Sequence, residues 1–283
     1  MPEAVATVAT TSTDLELDQA ADLLRGRRVV ALTGAGISTD SGIPDYRGEG
    51  APKRDPMSFQ QFISADAYSK RYWAGSHLGW ARFRDARPNA GHRVLASLEL
   101  EGVVTGVITQ NVDGLHTQAG SRRVVELHGS MDRVVCLNCG QVFARASISA
   151  RIDEANPWLE RPEAVEIAPD GDAIVAEVDR FVVPRCTVCG GNLKPDVVFF
   201  GELIPLERFR EATSLVQSAD AMLVAGSSLV VNSGIRLLEQ ARRRRIPIVV
   251  VNRGMTKGDA RASIKLDAGT SETLAGLASR LVD

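Results

Sequence analysis

The sequence predicts an α/β protein in which a parallel sheet is covered by helices on both faces and interrupted by a small metal-binding module. Three observations lead there. Short β-branched apolar runs recur and end in turns, stretches with helical spacing lie between them, and all four cysteines fall into two Cys-x-x-Cys pairs. The 283 residues, 44% hydrophobic and 24% charged, suffice for one large domain with an insert or for two domains. With 33 basic and 35 acidic residues the formal net charge is -2, so no global field draws the chain to nucleic acid or to an anionic membrane.

Residues 1–13 are rich in Ala and Thr without periodicity and are expected to be disordered. They lack a basic n-region and a sustained apolar h-region, and no later stretch reaches the apolar length of a membrane span. A cytoplasmic protein without a membrane partner is therefore expected. Asp14 to Arg25 is helix-like, and VVALTGAGIST from Val29 reads as a strand followed by a glycine turn. Further strand-like runs are Val103 to Thr109, Val124 to Leu127, Ala221 to Ala225 and Ile246 to Val251, with helical spacing at Ile235 to Arg244. Between Cys139 and Cys186 the charged, proline-containing DEANPWLERPEAVEIAPDGDAIVAEVD breaks this rhythm. Residues 132–196 are accordingly read as the inserted module, within a sheet domain formed by residues 14–131 and 197–283.

Cys136, Cys139, Cys186 and Cys189 leave no cysteine over, which in a reducing compartment points to metal. Four thiolates complete the closed tetrahedral shell of structural zinc, so no imidazole is needed as a ligand. The rival readings are a redox Cys-x-x-Cys or a pair of disulfides. Gly34-Ala35-Gly36 could bring backbone amides and a helix N-terminus to a phosphate. Thr39 stands where G-x-G-x-x-G has its third glycine, so an ordinary strand-to-helix turn explains the string equally well. His128 follows an apolar strand and is a candidate general base, although His77, His92 and His116 compete on chemistry alone. NVDG can equally be a turn stabilised by Asn and Asp, and VVFF a buried strand. The run Arg242 to Arg245 closes a helix-like segment without interleaved aromatics, so it reads as a solvated helix end and not as a nucleic-acid surface.

In combination these strings carry more. GAGISTDSGIPDYRG from Gly34, TQNVDGLH from Thr109, ELHG from Glu126, the two cysteine pairs, KPDVVFFGE from Lys194 and GSSL from Gly226 resemble the sirtuins, in family order, from about residue 30 to 255. KRYWAGSHLGWARF and VVNRG look like the class II branch. The resemblance implies a Rossmann-like domain with a zinc module, NAD as co-substrate, zinc on the four cysteines, and acylated lysine of proteins as partner. In the family reaction the acyl oxygen attacks the ribose carbon that carries nicotinamide. A histidine then deprotonates a ribose hydroxyl, and free lysine, nicotinamide and O-acyl-ADP-ribose result.

The family places that histidine at His128 and the nicotinamide pocket at Asn111 and Asp113, with Asn111 also serving catalysis and Gln110 and Ile43 as further walls. Gly34, Ala35, Gly36, Asp45, Tyr46 and Arg47 would form the cofactor loop, with Tyr46 where the family more often has Phe. Gly226, Ser227 and Ser228 would meet phosphate or ribose, and Asn252 with Arg253 the adenosine side. Val198, Phe199, Phe200 and Gly201 would line the acyl-lysine tunnel, faced by the stretch from Val230 to Asn232. Sirtuins specialised for succinyl-lysine carry a Tyr-x-x-Arg pair; Tyr68 to Arg71 matches the string but lies too far upstream of Pro88 to His92. The expected segment reads Ser76-His77-Leu78-Gly79-Trp80, without a cation, so neutral acyl chains are expected. Two other readings are mono-ADP-ribosyl transfer and a zinc-ribbon nucleotide-sensing binding module without turnover.

Overall fold

The structure, a computed structural model, describes residues 14–45, 56–159 and 178–282. The N-terminal residues 1–13 and the cofactor-loop candidates Tyr46 and Arg47 lie outside the described residues. The chain opens with α1 (Asp14–Leu24), which buries Leu17, Ala20, Ala21 and Leu24 along one stripe. β1 (Val29–Thr33) is buried at every position, as a central strand covered on both faces requires. After it come α2 (Phe59–Ser64), α3 (Asp66–Asp85) and α4 (Ala90–Leu100). Capping boxes start two of these helices, Ser58 with Gln61 on α2 and Asn89 with His92 on α4. β2 (Val104–Thr109), the short α5 (Leu115–Gln118) and β3 (Val124–Glu126) follow.

The chain then leaves this sheet. β4 (Gly129–Cys136), β5 (Val142–Ala144), α6 (Arg145–Ala155) and β6 (Leu193–Val197) build a smaller unit around a three-stranded antiparallel sheet ordered β5-β4-β6. It returns through α7 (Leu206–Ser218), β7 (Ala221–Ala225), α8 (Asn232–Arg243), β8 (Ile248–Val251), β9 (Ile264–Leu266) and α9 (Thr270–Leu281). The large sheet is ordered β3-β2-β1-β7-β8-β9 and every neighbouring pair is parallel. The strand order reverses between β1 and β7. In an open α/β sheet the crevice beyond the strand ends at such a reversal is where ligands bind.

Three apolar clusters hold these layers. Residues from α1, α4 and α9 cover one face of the parallel sheet, and residues from α7 and α8 the other. The third joins Phe62, Tyr72, Trp73, Trp80 and Phe83 of α2 and α3 to Ile148, Phe181 and Leu193. The smaller unit is thus built from two chain segments, because α2 and α3 share its core. Its sheet also runs beyond residues 132–196, starting at Gly129 and ending at Val197. Among the described residues no helix is long and apolar enough to cross a membrane.

Candidate active site

At the strand reversal the turns after β1 and β7 interdigitate. Gly36 N–H donates to Gly226 O at 2.8 Å. A Cβ on Gly34 would come within 2.8 Å of Gly226 O, and one on Gly226 within 2.3 Å of Ile37 N. Gly226 also has φ +65°, so glycine is required there both by space and by backbone. The two turns form one wall of a cleft of about 1460 Å³. That cleft brings together Gly34, Ala35, Gly36, Ile43, Asp45, Gln110, Asn111, Asp113, His128, Gly226, Ser227 and Ser228, together with Asn252 and Arg253. Val198, Phe199, Phe200, Gly201, Val230 and Asn232 line it as well.

The polar groups beyond β2 are tied down. Asn111 Nδ2 donates to Gly34 O at 3.1 Å and to Ser38 Oγ at 3.0 Å, leaving its Oδ1 as an acceptor. Asp113 Oδ2 accepts from Ser38 Oγ at 2.7 Å and Oδ1 from Leu115 N–H at 3.0 Å. Burial raises the Asp113 carboxyl above its ordinary range, and these hydrogen bonds only partly oppose it.

His128 is the one histidine among the described residues that lines the cleft. Its Nδ1 lies 3.0 Å from Gln110 O and its Nε2 2.9 Å from Ser233 Oγ. A carbonyl can only accept, so Nδ1 carries the ring hydrogen and Nε2 the lone pair. Burial lowers this imidazole to about 4, against a smaller upward effect of Gln110, so it is neutral at physiological pH and its Nε2 lone pair carries no proton. The competing histidines are engaged elsewhere. His116 Nε2 pairs with Thr33 Oγ1 at 2.9 Å, its ring packs 4.8 Å from that of His92, and His77 meets Asp153 across α3 and α6 at 2.9 Å.

The four thiols stand apart from this cleft. Sγ atoms of Cys136 and Cys189 are 3.5 Å apart, those of Cys139 and Cys186 are 3.8 Å apart, and all four lie within 4.8 Å of one another. A tetrahedron with Zn–S of about 2.3 Å has edges of about 3.8 Å, whereas a disulfide needs about 2.05 Å. The residues therefore fit zinc and not a disulfide. The thiols share protons unequally: the backbone N–H of Cys139 leads in drawing Cys136 down to about 6, whereas Cys189, against the backbone N–H of Gly191, is pushed up to about 12 by the Cys139 and Cys136 side chains.

The Sir2 family model matches residues 34–233 of this chain. The chain belongs to the Sir2 family. It is 54% identical over 263 residues to NAD-dependent protein deacetylase 1 of Mycobacterium avium, covering 92% of this chain and 93% of that protein. It is 44% identical to the mitochondrial NAD-dependent protein lipoamidase sirtuin-4 of Bos taurus, over 88% of this chain and 81% of that one. A solved Sir2 structure with a p53 peptide and NAD+ has a TM-score of 0.73 and 33% identity, covering 90% of this chain and 93% of that chain.

Within this Sir2 fold, three side chains matter that sequence reasoning did not reach. Ser38, fully buried, links Asn111 to Asp113; its signal lay inside the quoted GAGIS string. Ser233 touches His128, one residue past the stretch read as substrate-facing. Arg145, at 0% exposure, brings a guanidinium to the segment that lacks a cation of its own. Its Nη2 donates to Ser76 O at 2.8 Å and to Ser76 Oγ at 3.1 Å, and its Cζ lies 5.0 and 5.7 Å from the ring centroids of Trp73 and Trp80. Arg145 is not among the cleft-lining residues, and neither are Tyr68 and Arg71, whose side chains instead pack on each other at 5.8 Å.

Proposed function

We propose that this chain removes acyl groups from protein lysine side chains with NAD as co-substrate, releasing nicotinamide and O-acyl-ADP-ribose. One observation carries the reading: His128 is a neutral imidazole with its basic Nε2 in the cleft that also holds the glycine turns, Asn111 and Asp113. A cleft of about 1460 Å³ at a strand reversal has room for a dinucleotide beside an extended peptide. The names of the relatives and the peptide with NAD+ in the similar Sir2 structure support the same reading.

When bound, NAD supplies a ribose carbon from which nicotinamide can leave. Asn111 and Asp113 hold the leaving carboxamide through the acceptor left on Asn111 and the buried carboxyl of Asp113. Gly34, Gly36 and Gly226 with Ser227 and Ser228 hold the phosphate and ribose side, and Asn252 with Arg253 the adenosine end. Val198 to Gly201 and Val230 to Asn232 take the acyl-lysine segment from either side, although Val198 N–H and Phe199 N–H are already held by His128 O and the Glu202 carboxylate. His128 Nε2 takes the proton of a ribose hydroxyl while Gln110 O retains the hydrogen on Nδ1. The four thiolates hold zinc as a structural brace. We further infer a class II member that prefers neutral acyl chains, which the likeness to the bovine lipoamidase supports.

The test is mass spectrometry on an acetyl-lysine peptide with NAD. Deacylated peptide and nicotinamide in equal amounts is the expected result. Label retained on protein would replace the reading with ADP-ribosyl transfer, and neither product would leave a binding module.

A further inference from the structure

Ser233 lies in the first turn of α8, at 6% exposure, and its Oγ is 2.9 Å from His128 Nε2. Nε2 is the lone-pair nitrogen, so the hydroxyl donates to it. The atom that is to receive the substrate's proton is therefore already held by a side chain of the protein. No other hydrogen bond engages the Ser233 hydroxyl among the described residues. We propose that Ser233 is a positioning residue for the base.

Two points fix a plane better than one. Gln110 O holds the imidazole at Nδ1 and Ser233 Oγ holds it at Nε2, so the ring cannot swing about a single tether. A hydroxyl is also the partner that suits both states of the base. It donates to neutral Nε2 in the resting site, yields that single lone pair when the ribose hydroxyl delivers its proton, and can then turn to accept from Nε2–H; a carbonyl could do only the last and an ammonium only the first. Because the contact is made at the N-terminal end of a helix, its positive pole disfavours an imidazolium there and keeps the resting base neutral.

The surroundings make the contact rigid. Ser227 Oγ donates to Gln110 Oε1 at 2.6 Å and accepts from Leu229 N–H at 3.2 Å, so the residue that holds Nδ1 is tied to the turn that precedes α8. In that turn Leu229 has φ +53°, a left-handed conformation that non-glycine residues rarely adopt. Gly234 lets the helix close on Gln110, since a Cβ there would come within 3.0 Å of Gln110 Nε2. The tether points of the ring thus belong to one connected set of contacts.

The proposal rests on His128 as the base, and the experiment separates the two. Deacylation kcat, the KM for NAD and nicotinamide exchange are measured for wild type, Ser233→Ala, Ser233→Thr, His128→Ala and the Ser233→Ala/His128→Ala double variant. Losing one hydrogen bond to the base should lower kcat about fivefold to tenfold in Ser233→Ala. KM for NAD and nicotinamide exchange, which does not need the base, should stay at wild-type values. Ser233→Thr should regain most of kcat, and Ser233→Ala should add nothing in the His128→Ala background. A wild-type kcat in Ser233→Ala, a parallel fall in exchange, or a further loss in the double variant would overturn the proposal. Deacylation retained by His128→Ala would overturn the base assignment and this proposal with it. An inactive His128→Ala beside a wild-type Ser233→Ala would overturn this proposal alone.

Discussion

Lowering the pH from 7 to 5 should destabilise this protein through its buried imidazoles. Burial holds His92 and His128 at about 4 and pushes His116 well below the ordinary 6.5. His92 shows the cause most clearly. Its Nδ1 accepts the Asn89 N–H at 3.4 Å as part of the cap on α4, and its Nε2 lies 3.4 Å from Ser38 Oγ. A proton on Nδ1 would set donor against donor and release that cap. A group whose folded pKa lies below its unfolded one contributes stability that is complete above about pH 6.5 and is lost as pH falls toward the folded value. From pH 7 to 5, His92 and His128 each lose about 2 kcal/mol on this basis, about 4 kcal/mol together. Typical domains have only about 5 to 15 kcal/mol in total. Asp113, whose carboxyl is raised by burial, works in the opposite sense and offsets part of the loss. Asp220, held at about 2 first by its Arg28 hydrogen bond, does not protonate in this window. The assay is urea unfolding at both pH values for wild type and His92→Gln. Glutamine can accept the Asn89 N–H as a capping-box residue but cannot take a proton. The variant should lose about 2 kcal/mol less than wild type between pH 7 and 5; an equal loss would refute the assignment of His92 as a linked group.

The purified protein should carry one tightly held zinc per chain, and Cys136→Ser or Cys189→Ser should lower melting temperature together with activity; active protein without zinc by metal analysis would remove the site. His128→Ala should slow deacylation by about two orders of magnitude or more while NAD binding, followed calorimetrically, persists. Asn111→Ala and Asp113→Ala should instead impair nicotinamide exchange, and wild-type exchange in both would take the nicotinamide pocket elsewhere. Because His128 stays neutral to about 4, the acid limb of kcat/KM should lie well below pH 6, and a limb centred near 6.5 would point to a solvated imidazole. Acetyl or longer neutral chains should be removed at least about tenfold faster than succinyl, a difference of about 1.4 kcal/mol, since Arg145 is buried away from the cleft and already bound to Ser76. A succinyl preference would show that Arg145, or Tyr68 with Arg71, reaches the acyl group.

How much of this could be read from the chain follows from the range of each signal. The strands of the large sheet announce themselves because a parallel strand buried on both faces must be largely apolar, as Val29 to Leu32 and Ile248 to Val251 are. The cysteine pairs are legible for a similar reason, since one Cys-x-x-Cys turn presents two thiols to one point. The cleft residues, scattered from Gly34 to Arg253, meet because the turns after parallel strands all emerge along one edge of the sheet. What escaped depends on contacts between distant elements. Nothing local distinguishes Ser233 from any serine at a helix start; its role arises only when α8 closes on the turn after β3. Likewise Tyr72, Trp73 and Trp80 look like an ordinary amphipathic stripe, and only the fold decides that they pack on the metal-binding unit.

The glycine after His128 joins these two kinds of information. Gly129 has φ +87°, and a Cβ there would fall 1.8 Å from Asp196 O, so no other residue fits without moving β6. This is the point at which the chain leaves the parallel sheet and enters the antiparallel one. On either side of it, Leu127 N–H donates to Thr109 O at 2.9 Å, in register with β2, while Val198 N–H donates to His128 O at 2.8 Å, extending the β6 side. The backbone of His128 is thus clamped between two sheets by a glycine that cannot be exchanged, and its ring by Gln110 and Ser233. A general base needs its lone pair at one place to within a fraction of an ångström. The His-Gly pair supplies that through the backbone, which is why a two-residue string visible in the sequence marks the reacting atom while its side-chain supports remain hidden until the chain is folded.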